Sequence, residues 1–422
     1  MGSIKEKIKY MKETKKLIRE AIIARGVDVP ENTTFRDYAN KIDEINLLFT
    51  GSYDNEGLKQ IGWTDSEISY YNRYGVQWDE SENSYFKLTS KEIAGDESKE
   101  TRFLPKTSEK KYFDFHNYYH LIAIPLLDIS IRTNLNLMFG ECYSLTTIPK
   151  LDTSKATDMS YMFGNCHSLT TVPQLDTSNA TNISGMFSNC TSLTTIPQLN
   201  TSNVTNINGM FAGCYSLKRI PQLDTSKATN MGTMFDACYS LKRIPQLNTN
   251  NVTNMSYMFE SCRALTTIPK LNTNNVTNMS GMFKYCWALT TIPQIDTSKV
   301  TDMSYMFQNC NALTTIPKLD TSNVTNTRDT LYYLTSLKNF GGLLNLGQAY
   351  STSLSANYYT YGLELSNSTE LTHESLMNVI NGLYDIKTKG CKSQQLVLGA
   401  TNLAKLTAEE IAIATNKGWS VS

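Results

Sequence analysis

The stretch "LDTSKATDMSYMFGNCHSLTTVPQ" at residues 151–174 decides the fold, because the chain repeats this pattern at a fixed interval. Its Met-Phe dipeptide occurs eight times between 138–139 and 306–307, and each copy follows the last by 24 residues. A cysteine lies three residues after each of these phenylalanines, and an Ile-Pro or Val-Pro pair closes each unit. A period that never slips predicts a repeat protein whose stacked units bury a continuous core.

Degenerate copies of the repeat flank the eight regular ones. Upstream, apolar residues between 115 and 128 fall in register one period early, and downstream Leu334 takes the place of the cysteine. A solenoid must cap its open ends, so terminal units that lose the consensus are expected. The array is therefore predicted to cover 113–343, and a capping region is predicted over 344–422.

Each unit contains three local signals. The segment "TNMSYMF" (253–259) has the i, i+3, i+4 apolar spacing that predicts a short helix. The segment "SLTTIP" (144–149) is rich in β-branched residues and ends in a proline, which predicts a short strand. The segment "LDTSN" (175–179) carries turn residues that can cap the following helix. One strand and one helix per 24 residues predict an α/β solenoid of the leucine-rich-repeat class.

These repeats resemble the BspA-like leucine-rich repeats, especially the "LDTSNVTNMSYMF" variant of bacterial surface proteins. The resemblance covers about 113–343 and implies a leucine-rich-repeat solenoid that serves as a binding scaffold. The chain lacks the L-x-L-x-x-N core of the general leucine-rich signature, so strand and asparagine-turn details of that signature are not carried over.

The repeated cysteines, from Cys142 to Cys310, are the first candidates for chemistry. A disulfide ladder is disfavoured in a chain that stays in the cytoplasm, and no C-x-x-C pair is present to hold zinc. A buried column of small apolar side chains is the favoured interpretation. His116 and His120 have the i, i+4 spacing of a metal pair but lack a third ligand. The sequence also lacks nucleophile-elbow and phosphate-loop motifs, so we expect no catalytic, cofactor or metal site.

Two variable columns are the candidates for partner binding. The first follows each cysteine and favours aromatic and arginine side chains, which are enriched at recognition hot spots; it includes Tyr215, Tyr239, Arg263 and Trp287. The second is a Thr-Thr pair that two coils replace with Lys218-Arg219 and Lys242-Arg243. These four cations are predicted to form one exposed basic cluster on neighbouring coils. They are either ordinary solvated surface or a binding patch for an anionic or glycan ligand or a neighbouring subunit.

The N-terminal part of the chain has a different character. Residues 1–45 predict a helical hairpin for anchoring and oligomerisation, in which the first helix buries an apolar stripe. That stripe is formed by Ile4, Ile8, Met11, Ile18 and Ile22. Residues 46–112 predict a small acidic, aromatic-rich connecting region. At the other end, Thr407 and Glu410 predict a capping box for a closing helix.

Charge and hydropathy restrict the class of partner. The chain has 39 basic and 39 acidic residues, so its net charge does not indicate a nucleic-acid partner. No apolar run approaches the length of a membrane span, and the charged N-terminus does not resemble a secretory signal. We therefore expect a protein made in the cytoplasm without membrane insertion.

The terminal segments resemble a second group of proteins. "ETKKLIREAIIARGVDVPENTTFRDYANKI" (13–42) and "LGATNLAKLTAEEIAIATNKGW" (398–419) look like segments of gut bacteriophage tail and fibre proteins. This resemblance implies a virion protein that is assembled in the host cytoplasm. It also implies a homo-oligomeric fibre or tail-associated adhesin, bound to other virion proteins through its N-terminal helices and to a host surface glycan or protein through its solenoid. The alternative is a bacterial cell-surface adhesin of the BspA-like type.

Overall fold

The computed structural model describes most of the repeat array and the region that follows it. The described residues are 116–117, 129–148, 150–352 and 362–422, together with the backbone of two short strands upstream. The chain divides into two compact units: one holds 1–113, 123–129 and 148–151, and the other holds 114–122, 130–147 and 152–422.

The first unit contains one pair of strands among its described residues. Strand β1 (Phe86–Leu88) pairs antiparallel with β2 (Thr101–Phe103), and Phe86 lies opposite Phe103. Both strands lie within the predicted connecting region. The predicted hairpin over 1–45, with Ile4, Ile8, Met11, Ile18 and Ile22, lies outside the described residues.

The second unit is a solenoid of 24-residue coils, as the period predicts. Parallel bridges join each Asn or Asp of one column to the residue 24 positions later, from Asn134 and Asp158 to Asp302 and Asn326. The threonine that precedes each bridged Asn or Asp adds further hydrogen bonds between neighbouring coils. In one coil, for example, the Thr181 N–H donates to the Thr157 carbonyl at 2.9 Å, and its hydroxyl donates to the same oxygen at 3.3 Å.

The predicted helix in each coil is wrong, because the segment around Met-Phe is a series of turns. Alternate N–H groups donate to carbonyls of the next coil; those of Tyr161 and Phe163 do so at 2.8 and 2.9 Å. The intervening N–H groups, such as that of Gly164, donate to the carbonyl three residues back. Apolar residues three apart fit consecutive turns as well as a helix, and the sequence spacing does not separate the two.

Two residues in each of these segments adopt left-handed backbone conformations. In one coil they are Tyr161 (φ 50°) and Asn165 (φ 63°). Glycine adopts this region without steric cost, and Gly185 and Gly209 occupy the Tyr161 column in later coils. The capping role predicted for the Thr, Ser and Asp residues of these turns is also corrected, because no helix follows them. Asp176 Oδ1 instead accepts the Ser178 N–H at 2.9 Å in a local turn.

Strands form only at the end of the described array. Strand β3 (Thr315–Ile316) pairs parallel with β5 (Asn339–Phe340), and β4 (Leu319–Asp320) pairs parallel with β6 (Leu343–Leu344). Gly341 occupies the position that proline takes in earlier coils, and its N–H donates to the Ile316 carbonyl at 2.9 Å. Proline lacks this donor, which explains why the earlier coils do not extend the pairing.

The core consists of columns of identical side chains. Eight phenylalanine rings from Phe139 to Phe307 form one stack, with centroids 5.5–6.0 Å apart and planes within 11°. The eight repeat cysteines are buried, which confirms the interpretation as a buried column. Leu334 in the cysteine position is also fully buried.

The cysteine thiols do more than fill space. Those from Cys166 to Cys310 donate to phenylalanine carbonyls of the preceding coil at 2.9–3.2 Å. Burial raises the pKa of these thiols, to about 12 for Cys310, so they stay protonated and able to donate.

The C-terminal region has conventional helices and a parallel sheet. Its elements are β7 (Leu363–Glu364), α1 (His373–Gly382), β8 (Gln394–Val397), α2 (Gly399–Leu403), α3 (Ala408–Asn416) and β9 (Trp419–Val421). The strands pair in the order β7-β8-β9. The predicted capping box of Thr407 and Glu410 is confirmed at the start of α3. Among the described residues, no helix is long and apolar enough to cross a membrane.

Candidate binding surface

The variable column after each cysteine forms a row of stacked side chains on the surface. Tyr215 stacks on Tyr239 with ring centroids 4.6 Å apart and planes 10° from parallel. The Arg263 guanidinium carbon lies 4.1 Å from the Tyr239 ring centre and 4.5 Å from the Trp287 ring centre. The structure therefore brings these four predicted residues together, and we call this row the ridge.

Stacking limits which parts of the ridge a partner can reach. Tyr239 is covered on one face by Tyr215 and on the other by Arg263. Tyr215 and Trp287, at the two ends, remain 41% and 45% exposed. The ridge thus presents ring edges and polar groups more than free ring faces, and its side chains are already held in place before a partner binds.

Arg263 is the cation of the ridge, and stacking fixes its orientation. Its guanidinium is sandwiched between two rings, so its N–H groups point away from the stack, in the plane of the group. It is exposed, and it forms no ion pair or hydrogen bond with any residue that the structure describes. A planar donor fork held in this way is suited to a carboxylate, sulfate or phosphate.

The two basic pairs, Lys218-Arg219 and Lys242-Arg243, lie on the same two coils as Tyr215 and Tyr239. All four side chains are exposed, and within the described part of the chain none has an acidic partner. The backbone at these positions still joins the coils, since the Lys218 N–H donates to the Thr194 carbonyl at 3.2 Å. The change from Thr-Thr therefore alters the surface and leaves the coil joint in place.

A second charged column was not found from the sequence. Asp236, Glu260 and Lys284 occupy equivalent positions in three successive coils, and Lys284 Nζ lies 2.9 Å from Glu260 Oε1. The ammonium also lies 5.1–5.9 Å from three ring centres, those of Tyr257, Tyr285 and Tyr305. The other regular coils hold uncharged residues in this column, such as Ser188, Ala212 and Gln308, so the three successive charges are visible in the aligned repeats.

The carboxyl of Asp236 is poorly solvated. Burial, reinforced by the nearby charge of Glu260, raises its pKa to about 7, while Lys284 and the Ala237 N–H act in the opposite direction. Glu260 already has its ion-pair partner in Lys284. The ion pair thus neutralises the half-buried charges of Glu260 and Lys284 within the protein, and this column does not indicate a substrate site.

A groove of about 1130 Å³, lined mainly by Gln, Asn and Thr residues, crosses four coils on the turns that follow the prolines. Glutamine side chains tie these coils together; for example, Gln222 Nε2 donates to the Gln246 carbonyl at 2.6 Å. Leu223 and Leu247 beneath them are only 1% exposed. Because the amide donors are used within the protein, this groove offers a weaker case for binding than the ridge.

The histidines do not form a metal site among the described residues. His116 lies 4.0 Å from Glu141, while His120 falls outside the described residues. His167 stacks on Tyr143 at 4.8 Å, in the same column as the ridge. In the part of the chain that the structure describes, no three His, Cys, Asp or Glu side chains are grouped so that they could hold an ion.

Comparison with known proteins supports a repeat family but does not give a function. The family model described as "Mycoplasma protein of unknown function, DUF285" matches residues 133–244 and 239–341, just under half of the chain. These matches coincide with the coils that carry the phenylalanine stack and the ridge. No curated protein matches the chain.

Several solved leucine-rich-repeat structures are similar to this chain. A leucine-rich cell surface protein from Faecalibacterium prausnitzii A2-165 is 16% identical with a TM-score of 0.39, covering 82% of this chain and 95% of that one. A leucine-rich-repeat protein from T. pallidum is 17% identical with a TM-score of 0.27, covering 55% and 85%. An internalin from Listeria monocytogenes is 13% identical with a TM-score of 0.24, covering 72% and 81%. Likenesses at this level do not indicate what this chain binds.

Proposed function

We propose that this protein is a non-enzymatic binding protein of the adhesin type, whose solenoid presents a rigid surface to a partner on a cell or particle. The ridge and the basic pairs carry the proposal, because they depart from an otherwise uniform array without serving its core. Tyr, Trp and Arg are the side chains that most often dominate the energy of protein recognition. Extended solenoid surfaces also suit binding, since each coil adds area without changing its neighbours.

We place the bacterial cell-surface adhesin ahead of the virion adhesin as the setting. The repeats that resemble BspA-like proteins span about 113–343, whereas the resemblance to phage proteins is limited to two terminal segments. The virion setting, with N-terminal helices attached to other virion proteins in a homo-oligomer, is the second candidate.

Saturation binding of the full-length protein to cells tests the proposed function. The protein, labelled at an added N-terminal tag, is titrated onto a panel of bacterial and animal cells. We expect saturable binding to at least one cell type, displaced by unlabelled protein. The absence of saturable binding to every cell type would contradict the adhesin function.

Fractionation of the producing culture separates the two settings. An antibody against the chain should detect it in the cell envelope if it is a surface adhesin. Detection in purified phage particles instead would reverse our order of the two candidates.

A further inference from the structure

We propose that the partner of the ridge is a linear anionic glycan, that is, a polysaccharide whose sugars carry carboxylate or sulfate groups. The proposal rests on the adhesin function and specifies its ligand. The glycan lies along the ridge across three successive coils. Its acidic groups pair with Lys218, Arg219, Lys242, Arg243 and Arg263.

The charge of this surface is the first argument. Five cations lie on three consecutive coils of a chain with zero net charge, and none of the five has an acidic partner among the residues that the structure describes. Of the acids in the same coils, Glu260 is paired with Lys284 and Asp236 is half-buried with a raised pKa, while Asp224 lies on the turn after the proline, near the charge of Lys227. The positive charge is therefore local and available, and it favours a polyanion.

The spacing of the cations indicates a linear polymer. The ridge repeats at the distance between coils, 4.6 Å between the rings of Tyr215 and Tyr239. Lys218 and Lys242 are one coil apart, as are Arg219 and Arg243, so the cations repeat on about the same scale. Sugars in an extended polysaccharide advance by a similar distance, so successive acidic sugars can meet successive coils.

Arg263 adds an oriented site to this row of charges. The rings of Tyr239 and Trp287 fix the plane of its guanidinium, so little side-chain freedom remains to be lost on binding. Its donor fork matches the two oxygens of a carboxylate or sulfate. A lysine at this position would keep the charge but lose the planar fork.

The covered ring faces argue against the two main competitors. Single-stranded nucleic acid binds by stacking bases on free aromatic faces, but both faces of Tyr239 are occupied within the protein. A neutral sugar also stacks on ring faces, and only the ends of the ridge offer them. The ridge and the basic pairs therefore offer a partner mainly positive charge and the edges of aromatic rings, and these suit an acidic sugar.

Binding of defined polymers to the full-length protein tests the proposal. The probes are heparin fragments for sulfate, oligogalacturonate for carboxylate, dextran as a neutral glycan, oligothymidine and polyglutamate. Dissociation constants are measured by calorimetry at two salt concentrations. We expect heparin, oligogalacturonate or both to bind more tightly than the other three probes, and the better of the two identifies the acidic group.

Two matched variants separate a specific site from bulk charge. The test variant carries Lys218→Thr, Arg219→Thr, Lys242→Thr and Arg243→Thr, the residues that other coils hold there. The control carries Lys155→Asn, Lys227→Asn, Lys299→Asn and Lys270→Gln, which are also residues found in equivalent positions of other coils. Both lose four positive charges. The test variant should bind the anionic glycan about 30-fold more weakly, and the control should change by less than about threefold.

Arg263→Lys tests the oriented site while keeping its charge. We expect it to weaken glycan binding about tenfold, because the fork is lost. Equal losses in the test and control variants would show that binding follows net charge alone and would overturn the proposal. Tighter binding of oligothymidine or polyglutamate than of both acidic glycans would also overturn it. If no anionic glycan binds but the protein still saturates cells, the ligand is wrong and the adhesin function stands.

Discussion

The regular coils and the C-terminal region form the hydrogen bonds of their backbone N–H groups in different ways. In the coils, alternate N–H groups such as those of Tyr161 and Phe163 donate to the next coil. In the C-terminal region, the backbone hydrogen bonds of helices α1 and α3 lie within each helix. The side chains of Thr372 and Thr407 cap the first turns of these two helices. A coil therefore depends on its neighbours, whereas a capped helix depends mainly on local sequence. This difference predicts where substitutions are most costly.

Truncation of a ring in the phenylalanine stack should have the largest effect. Phe235 is fully buried, with Phe211 and Phe259 at 5.8 and 5.7 Å on its two sides. Phe235→Ala should lower the free energy of unfolding by about 3–5 kcal/mol, measured by urea denaturation, because it leaves a cavity shared by three coils. Phe235→Leu, which keeps most of the volume, should cost less than half as much. A loss below about 1 kcal/mol for the alanine variant would mean that the coils do not depend on one another in this way.

Asp236→Asn should change how the stability of the coils depends on pH. The folded-state pKa of Asp236 is raised to about 7 from an unfolded value near 3.8, so the folded state binds more protons between these values. Stability present at low pH is therefore lost as the pH rises toward 7. Above pH 7 the variant should be more stable than the wild type by about 2 kcal/mol. This value is about half of the free energy that corresponds to the full pKa shift, because solvent screens part of the carboxyl charge.

Asp224→Asn provides the control for that measurement. Hydrogen bonds from Ser226 lower the pKa of Asp224, and asparagine occupies the same position in other coils. This exposed change should not stabilise the protein above pH 7. Denaturation curves at pH 5 and pH 8 compare the two variants, and equal behaviour would show that the burial of Asp236 has no consequence for stability.

Loss of a helix cap should have a smaller and more local effect. Thr407 Oγ1 accepts the Glu410 N–H at 3.2 Å at the start of α3. Thr407→Ala should cost about 1 kcal/mol, and hydrogen exchange should accelerate in α3 but not in the coils. Thr407→Ser should restore most of the loss. Faster exchange throughout the array would contradict the separation of the two regions.

A glycine substitution in the coils should stabilise them slightly. Thr233 is β-branched but has a φ of 52°, in a column where Gly209 and Gly281 adopt the same conformation. Thr233→Gly should raise the free energy of unfolding by about 0.5 kcal/mol, since relief of strain exceeds the added entropy of the unfolded chain. Thr229→Gly in the same coil is the control. It should destabilise the protein, because the Thr229 hydroxyl joins its coil to Thr205.

The sequence predicted the register of the coils better than their local structure. A period of 24 residues identified the core columns, including the substitution of Leu334 for cysteine, because burial repeats with the period. The turns around Met162 were mistaken for a helix, since bonds between coils leave no mark in a local apolar pattern. The capping box at the start of α3 was predicted correctly because capping is local.

The candidate site could be predicted in part for the same reason. The 24-residue period predicted that Tyr215, Tyr239, Arg263 and Trp287 lie side by side on successive coils. It did not predict that the Arg263 guanidinium lies between two rings, because this depends on side-chain orientation. The charged column of Asp236 was missed because only three coils carry a charge there, and the other regular coils hold uncharged residues.

Cell binding by the variant with threonine at positions 218, 219, 242 and 243 tests the central claim most directly. We predict that its affinity for the cells that bind the wild type falls at least about tenfold, because the basic pairs contact the partner. Its melting temperature should stay within about 2 °C of the wild type, since these exposed side chains serve no core or coil joint. Wild-type affinity in this variant would contradict the account, and an unfolded array would show that the basic pairs are structural.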